Sequence, residues 1–190
     1  ACPAPGSPRT PDVAVLVTGG AGYIGSHTAV ALHDAGRHVV VLDDLSNSSP
    51  AAVDALRSLT RPDLPFVEAD AADVDAVGRA LADHGVDEVV HFAAFKSVSG
   101  SIANPEGYHR NNVGCTSGVV AAMRAHSVSR LVFSSSCTVY GEPDDVPVIE
   151  ASPIGATNPY GATKVACEEL LATEADAGGL DSLQIGRAHV

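Results

Sequence analysis

The sequence predicts an α/β fold, a doubly wound parallel sheet of the Rossmann type. Short apolar segments rich in β-branched residues alternate with segments of ten or more residues that have helical character. A GxGxxG pattern, residues 20–25, lies directly after the first apolar segment and opens the first predicted helix. This alternation requires right-handed crossovers, which produce a parallel sheet with helices on both faces.

The first predicted strand, residues 13–17, reads Val-Ala-Val-Leu-Val and is typical of a strand buried on both faces. A helix over 23–35 follows, and Gly36 is placed to end it as a C-cap. Further strands are predicted at 38–42, 64–67, 88–92 and 130–135. Further helices are predicted at 50–58, 74–84, 105–125 and 160–175. Ligands of such sheets bind beside the carboxyl ends of the strands, where the strand order reverses.

The 190 residues, 45% of them hydrophobic, predict one domain. Residues 1–12 hold four prolines and no periodic pattern, so we expect a disordered lead followed by a nucleotide-binding domain over 13–184. Residues 185–190 back-translate onto the first bases of a common sequencing adapter and break the expected strand after residues 182–183, so we interpret them as a non-native tail. Because the single methionine is Met123, we expect the chain to begin inside a longer reading frame or after a removed segment.

The composition excludes several classes of partner. A formal charge of -12 disfavours nucleic acid and anionic membranes as partners, since neither is attracted to an acidic surface. No apolar run approaches the roughly 20 residues that span a membrane, and the N-terminus lacks a signal-peptide pattern. We therefore expect a soluble, cytoplasmic protein. The four cysteines show no CxxC pair and no histidine at metal spacing, so we expect neither disulfides nor a metal site.

The glycine loop predicts a pyrophosphate site. Glycines permit a tight turn and close approach, while free amides and the positive end of the helix dipole can hold an anion without a lysine. The alternative is a glycine-rich turn that only connects strand to helix. The loop residues predicted to bind a dinucleotide are Gly19, Gly22, Tyr23, Ile24 and Gly25.

Asp43 ends the second predicted strand, 18 residues beyond Gly25, near the spacing of about 20 at which a carboxylate meets the adenosine ribose. Its carboxylate can accept from both ribose hydroxyls and would repel a 2′-phosphate. NAD is thereby favoured over NADP as the cofactor. The alternative is a solvated loop carboxylate, because Asp44 is adjacent.

Tyr160 and Lys164 form a YxxxK pair, and residues four apart on a helix share one face. The ammonium would lower the pKa of the phenol from about 10 and create a general base. The alternative is an ordinary amphipathic helix surface. Ser136, at the end of the fifth predicted strand, is placed to hydrogen-bond a reacting hydroxyl. Ser134 and Ser135 are expected only to satisfy turn amides.

Residues 13–171 resemble the extended short-chain dehydrogenases/reductases, and most closely the UDP-glucose 4-epimerases among them. The resemblance is carried by the glycine loop 18–28, by 134–141, and above all by 91–98, His-Phe-Ala-Ala-Phe-Lys-Ser-Val. Asp44, Ala69 and Cys137 stand where the family commonly has Asn, Gly and Ala. The sixth strand of the family is incomplete here, so we expect the C-terminal substrate domain to be absent and this fragment to be inactive.

The resemblance implies bound NAD with contacts beyond the glycine loop. Segments 43–48 and 68–71 resemble the regions beside ribose and adenine, and 91–98 resembles the segment whose lysine reaches the nicotinamide ribose or phosphates. The implied cofactor-binding residues are Asp43, Asp44, Ser46, Asn47, Ser48, Asp70, Ala71, Phe92, Ala93, Ala94, Lys96, Asn111, Ser136, Tyr160 and Lys164.

The resemblance further implies interconversion of UDP-glucose and UDP-galactose through a transient 4-keto sugar. The implied catalytic residues are Ser136, Tyr160 and Lys164. The alternatives are a UDP-glucuronate epimerase or decarboxylase, or a non-catalytic NAD-sensing protein. Thr138-Val139 stands where sugar-nucleotide dehydratases have Asp-Glu, which disfavours dehydration. In the family, helices corresponding to 105–125 and 160–175 pair across a dimer axis, which implies a homodimer.

Overall fold

The computed structural model describes residues 13–143 and 145–186. Its strands are β1 (Ala14–Thr18), β2 (His38–Asp43), β3 (Phe66–Glu68), β4 (Val86–His91), β5 (Arg130–Ser134) and β6 (Asp181–Ile185). They form one sheet in the order β3-β2-β1-β4-β5-β6, and every neighbouring pair is parallel. The doubly wound parallel sheet predicted from the sequence is confirmed, and its strand order reverses between β1 and β4.

The α-helices of the described residues are α1 (Tyr23–Asp34), α2 (Pro50–Leu59), α3 (Val74–Asp83), α4 (Val98–Ala103), α5 (Pro105–Ala125) and α6 (Pro159–Asp176). A one-turn 3-10 helix, Cys137–Tyr140, follows β5. The sequence predicted all of these α-helices except α4, because six residues are too few to show a helical period. In the structure Ser97 caps α4 by accepting a hydrogen bond from the Gly100 amide at 3.0 Å.

The core consists of two apolar layers, one on each face of the sheet. Successive residues of a strand point to opposite faces, so a central strand needs apolar residues at every position. In β1, Leu16 packs in the layer that contains Met123 of α5 and Leu171 of α6. Val15 packs in the opposite layer with Ala29 of α1. This arrangement accounts for the continuous apolar run from which β1 was predicted.

The last strand extends further than the sequence predicted. The sequence pattern suggested that the strand breaks after Leu183, but β6 continues through Ile185, whose carbonyl accepts a hydrogen bond from the Ser135 amide at 2.9 Å. Pairing with β5 determines this boundary, and periodicity over so few residues cannot show it. Residues 1–12 and 187–190 lie outside the described residues, so the disordered lead and the division into domain and tail stay predictions.

Within 13–143 and 145–186, no helix combines the length and the apolar character needed to cross a bilayer. The same residues contain no group of three His, Cys, Asp or Glu side chains arranged to hold a metal ion. Cys115, Cys137 and Cys167 are free thiols. Cys2 lies outside the described part of the chain.

Candidate active site

A pocket of about 350 Å³ opens at the carboxyl edge of the sheet, beside the point where β1 and β4 diverge. Every predicted cofactor-binding or catalytic residue lines this pocket except Ser136, whose side chain shares a hydrogen bond with Tyr160. The predicted residues that line it are Gly19, Gly22, Tyr23, Ile24, Gly25, Asp43, Asp44, Ser46, Asn47, Ser48, Asp70, Ala71, Phe92, Ala93, Ala94, Lys96, Asn111, Tyr160 and Lys164.

The glycine loop between β1 and α1 is packed so closely that it excludes side chains at Gly19, Gly20 and Gly25. Gly19 has φ +66°, and a Cβ there would lie 2.6 Å from the Ala93 amide nitrogen at the end of β4. A Cβ on Gly25 would overlap the carbonyl oxygen of Gly19. Glycine at these positions lets the loop turn sharply and brings backbone amides to the edge of the pocket.

The N-terminus of α1 presents backbone donors to the pocket. Gly22 is the N-cap residue, no side chain caps the helix, and its first turn contains no acidic residue. Tyr23 is 74% exposed, so the first turn is open to the pocket and to solvent. The first amides of a helix lack internal acceptors and carry the positive end of its dipole. This part of the pocket therefore suits an anionic group such as a pyrophosphate.

Asp43, the last residue of β2, is fixed by the surrounding backbone. Its carboxylate accepts hydrogen bonds from the Ala21 amide at 3.0 Å, the Leu45 amide at 2.9 Å and the Ser48 hydroxyl at 3.0 Å. The residue is only 8% exposed, so it is not the solvated loop carboxylate that the sequence left open. Asp44 is exposed and accepts from the amide and hydroxyl of Ser46 instead.

Lys96 follows a segment that is fixed by a buried asparagine. Asn112 of α5 accepts a hydrogen bond from the Phe95 amide at 2.8 Å and donates to the Phe95 carbonyl at 3.0 Å. It also donates to the Thr163 hydroxyl of α6 at 2.9 Å. Asn111 donates to Asn112 Oδ1 at 3.1 Å. The sequence assigned no role to Asn112, because two of its partners, Phe95 and Thr163, lie 17 and 51 positions away in the chain.

Tyr160 and Lys164 share one face of α6, as predicted. Asn158 caps this helix by accepting from the Gly161 amide at 2.8 Å. Lys164 is 4% exposed, and its Nζ donates to the Ser134 carbonyl at 2.9 Å. Nζ lies 6.0 Å from the centre of the Tyr160 ring. Burial lowers the pKa of Lys164 to about 8, because an ammonium loses its hydration there.

One electrostatic prediction from the sequence is wrong in this structure. Burial raises the pKa of Tyr160, a hydrogen bond with Ser136 lowers it, and Cys137 adds a smaller upward effect. The net direction is upward, whereas the YxxxK pattern predicted that Lys164 would lower this pKa. The physical reason is that burial of the phenol opposes its ionisation, while the Lys164 ammonium donates to the Ser134 carbonyl and lies 6.0 Å from the centre of the phenol ring.

Ser136 lies where β5 enters the 3-10 helix. Its hydroxyl oxygen accepts from the Thr138 amide at 3.2 Å and from the Thr138 hydroxyl at 2.9 Å. Its side chain also shares a hydrogen bond with Tyr160. The structure therefore brings all three predicted catalytic residues together, with Ser136 as the direct partner of the phenol.

Five residues that line the pocket were not predicted. They are Leu42, Ala69, Phe95, Cys115 and Ser134. Cys115 lies one helical turn after Asn111, so the helical period of α5 was a signal that could have identified it. Its thiol donates to Asp70 Oδ1 at 3.6 Å. Burial, with the charge of Asp70, raises the pKa of this thiol to about 12, so it stays protonated at neutral pH.

Comparisons with known proteins agree with this geometry. Residues 15–186 match a sequence profile described as the NAD dependent epimerase/dehydratase family. The chain is 49% identical to the UDP-glucose 4-epimerase of Bacillus subtilis over 159 residues, which covers 84% of this chain and 47% of that protein. It is 42% identical to the UDP-glucose 4-epimerase of Haemophilus influenzae over 176 residues, covering 92% and 52%. The chain thus spans about half the length of these curated relatives.

Solved structures show the same similarity. The UDP-glucose-4-epimerase of Stenotrophomonas maltophila, with bound NAD and formylated UDP-arabinopyranose, superimposes with a TM-score of 0.87 and is 42% identical. The match covers 90% of this chain and 52% of that one. The UDP-glucose 4-epimerase of Bifidobacterium longum, in complex with NAD+ and UDP, gives a TM-score of 0.86 at 36% identity. That match also covers 90% and 52% of the two chains.

Proposed function

Because this chain belongs to the NAD dependent epimerase/dehydratase family, we propose that the whole protein interconverts UDP-glucose and UDP-galactose through a transient 4-keto sugar. One observation carries the proposal: a single pocket joins an uncapped helix N-terminus and a buried acid to the Tyr160–Lys164 pair. The similarity to UDP-glucose 4-epimerases supports the substrate class. Because the chain spans about half the length of those relatives, the substrate and the activity are proposed for the whole protein.

We infer that NAD is the cofactor, and the residues present fit it. The free amides of the first turn of α1 would hold the pyrophosphate, and Asp43 would accept from the ribose hydroxyls. Lys96 lines the same pocket and would supply a positive charge near the phosphates or the second ribose. When bound, NAD supplies a hydride acceptor that can return the hydride to either face of the sugar.

The residues of this chain would transfer the proton of the sugar hydroxyl. Tyr160 Oη would take the proton of the sugar 4-hydroxyl and return it once the 4-keto sugar presents its other face to the cofactor. Ser136 would orient the phenol, because the two side chains already share a hydrogen bond. Burial disfavours phenolate, so the base would depend on the positive charge of Lys164 and on the charge that enters with the cofactor.

We also propose that the whole protein is a cytoplasmic homodimer. The packing of α5 beside α6 on one face of the sheet supports this, because the family resemblance pairs the corresponding helices across a dimer axis. Sedimentation equilibrium of the whole protein tests it. A monomer at micromolar concentration would contradict the proposal.

The test of activity is conversion of UDP-galactose by the purified whole protein with no added NAD, followed by NMR of the sugar nucleotide. We expect UDP-glucose and UDP-galactose to reach one equilibrium mixture from either side, because the hydride that is removed is also returned. A parallel incubation with UDP-glucuronate tests for the alternative activities, UDP-glucuronate epimerase and decarboxylase. Decarboxylation or epimerisation there, without change of UDP-galactose, would reassign the substrate, and NAD binding without any turnover would indicate a sensing role.

A further inference from the structure

The serine segment, residues 134–136, is held against α6 by three side chains that lie one turn apart on the helix. These side chains are Tyr160, Lys164 and Glu168. The Lys164 ammonium donates to the carbonyl of Ser134, and the phenol shares a hydrogen bond with Ser136. The middle serine makes the third contact, which the proposed reaction does not use.

In that third contact the hydroxyl of Ser135 donates to Oε1 of Glu168. Ser135 is buried, and its amide is already bonded to the Ile185 carbonyl of β6. A hydrogen bond from a hydroxyl to a carboxylate is stronger than a hydrogen bond between two neutral groups. Neither side chain lines the pocket, so this contact acts on the site through its neighbours.

We propose that Glu168 is a positioning residue: by bonding Ser135, it fixes the placement of the serine segment on α6 and so holds Tyr160 against Ser136. The inference rests on the proposed function, since the phenol is the base of that reaction. Thr138 fixes the hydroxyl of Ser136 within its own segment, but the phenol hydroxyl can rotate and Lys164 has a long flexible chain, so these two contacts leave the segment some freedom against α6. The bond from Ser135 to the Glu168 carboxylate, one turn further along α6, adds a charge-assisted link that restricts how the serine segment sits on the helix.

Kinetics of the whole protein with UDP-galactose tests this role. Glu168→Ala and Ser135→Ala should each lower kcat about tenfold, since small displacements of a reacting group are costly, with KM changed less than about twofold. The double variant should be no slower than either single variant, because both remove the same bond. Glu168→Gln should restore kcat to within about threefold, since its amide oxygen still accepts from Ser135. Glu169→Ala is the matched control, an exposed acid on the same helix, and should leave kcat unchanged.

A pH profile separates positioning from support of the fold. The hydrogen bond from Ser136 lowers the pKa of Tyr160, so weakening it should move the acid limb of kcat/KM to higher pH in Glu168→Ala and Ser135→Ala. Lys164 on α6 lies beside the phenol ring and Cys137 on the 3-10 helix acts on its pKa, and both are unchanged in these variants. The Glu168 carboxylate raises the pKa of Lys164, so Ser135→Ala, which keeps that charge, carries the pH test. Selective 13C labelling of tyrosine should show the same shift in the titration of Tyr160, independently of turnover.

Two results would overturn the inference. A kcat within twofold of wild type and an unmoved acid limb in Ser135→Ala and Glu168→Ala would show that the bond only supports the fold. Ser135→Ala removes a single oxygen, so it decides the matter even if Glu168→Ala does not fold. A wild-type protein that fails to convert UDP-galactose would instead overturn the proposed function, and this inference with it.

Discussion

The ammonium of Lys164 lies 6.0 Å from the centre of the Tyr160 ring and gives its hydrogen bond to the Ser134 carbonyl. The lysine is therefore a buried charge beside the phenol, and Ser136 is the hydrogen-bond partner. Burial opposes ionisation of both groups, since it raises the pKa of Tyr160 and lowers that of Lys164 to about 8. Whether Tyr160 loses its proton and Lys164 keeps its own therefore depends on the polar groups around them.

Replacing Tyr160 by Phe should lower kcat of the whole protein by at least about 10²-fold, because the general base is deleted while the ring is kept. NAD binding should be nearly unchanged. Epimerisation of UDP-galactose and calorimetric titration of the cofactor check the two parts. Near-normal turnover at neutral pH would show that the YxxxK pattern is only helix surface.

Replacing Lys164 by Met should separate activity from stability. We expect slower turnover and weaker NAD binding, because a positive charge beside the site is removed. The free energy of unfolding should nevertheless rise by about 1–3 kcal/mol, since the penalty for burying an ammonium exceeds the loss of one bond to the Ser134 carbonyl. Urea unfolding at pH 7 measures this, and a destabilised variant would mean that the bond outweighs the burial.

The whole protein should bind NAD more tightly than NADP, because the carboxylate of Asp43 would face the 2′-phosphate with like charge. Asp43→Asn should reduce the preference for NAD over NADP by about tenfold. It should also destabilise the backbone around the glycine loop, since the carboxylate accepts hydrogen bonds from Ala21, Leu45 and Ser48. Asp34→Asn is the matched control, because Asp34 is an exposed aspartate that does not line the pocket. Calorimetric titration with both cofactors measures these affinities, and equal affinities in the wild type would contradict the prediction.

His91 should make the fold less stable in mild acid. Its ring lies 2.6 Å from the Thr18 hydroxyl and 3.2 Å from the Thr116 hydroxyl. Burial first, and the charge of Lys164 second, lower its pKa from 6.5 to about 3. The unfolded chain therefore binds a proton between pH 6.5 and 3 that the folded chain rejects. The contribution of His91 to the free energy of unfolding is therefore fully present above pH 6.5 and is lost as the pH falls, by about 2 kcal/mol at pH 5.

Urea unfolding at pH 7 and pH 5 measures this effect of His91. The variant His91→Gln has a neutral side chain at both values, so its free energy of unfolding should change by about 2 kcal/mol less over this interval. The difference between the two proteins isolates His91 from the other titrating groups. The same pH dependence in both proteins would contradict the prediction.

The 190-residue chain by itself should show no measurable epimerase turnover, because it spans about half the length of the active relatives it matches. It should also associate, since Leu183 on the edge strand β6 is 61% exposed. Leu183→Lys should lower light scattering of the purified chain without restoring activity. Steady conversion of UDP-galactose by the chain would show that the remaining length is not needed for catalysis.

The sequence by itself determined the order of strands and helices, the glycine loop, the acid at the end of β2 and the YxxxK face. These features follow from local geometry: a strand repeats every two residues, a helix every 3.6, and a turn against another strand requires glycine. The other predicted pocket residues were implied by the family resemblance, and all of them except Ser136 line the pocket as well. The short α4 and the end of β6 escaped prediction, because neighbouring elements and not periodicity determine them.

Only the tertiary structure decided the chemistry of the site. The bond from Ser135 to Glu168 joins residues 33 positions apart, and the bond from Lys164 to Ser134 joins residues 30 apart. The direction of the Tyr160 pKa also depends on burial, which the YxxxK spacing does not contain. Spacing along a helix determines which side chains share a face. What those side chains contact, and how much water they lose, depends on the strand that packs against them.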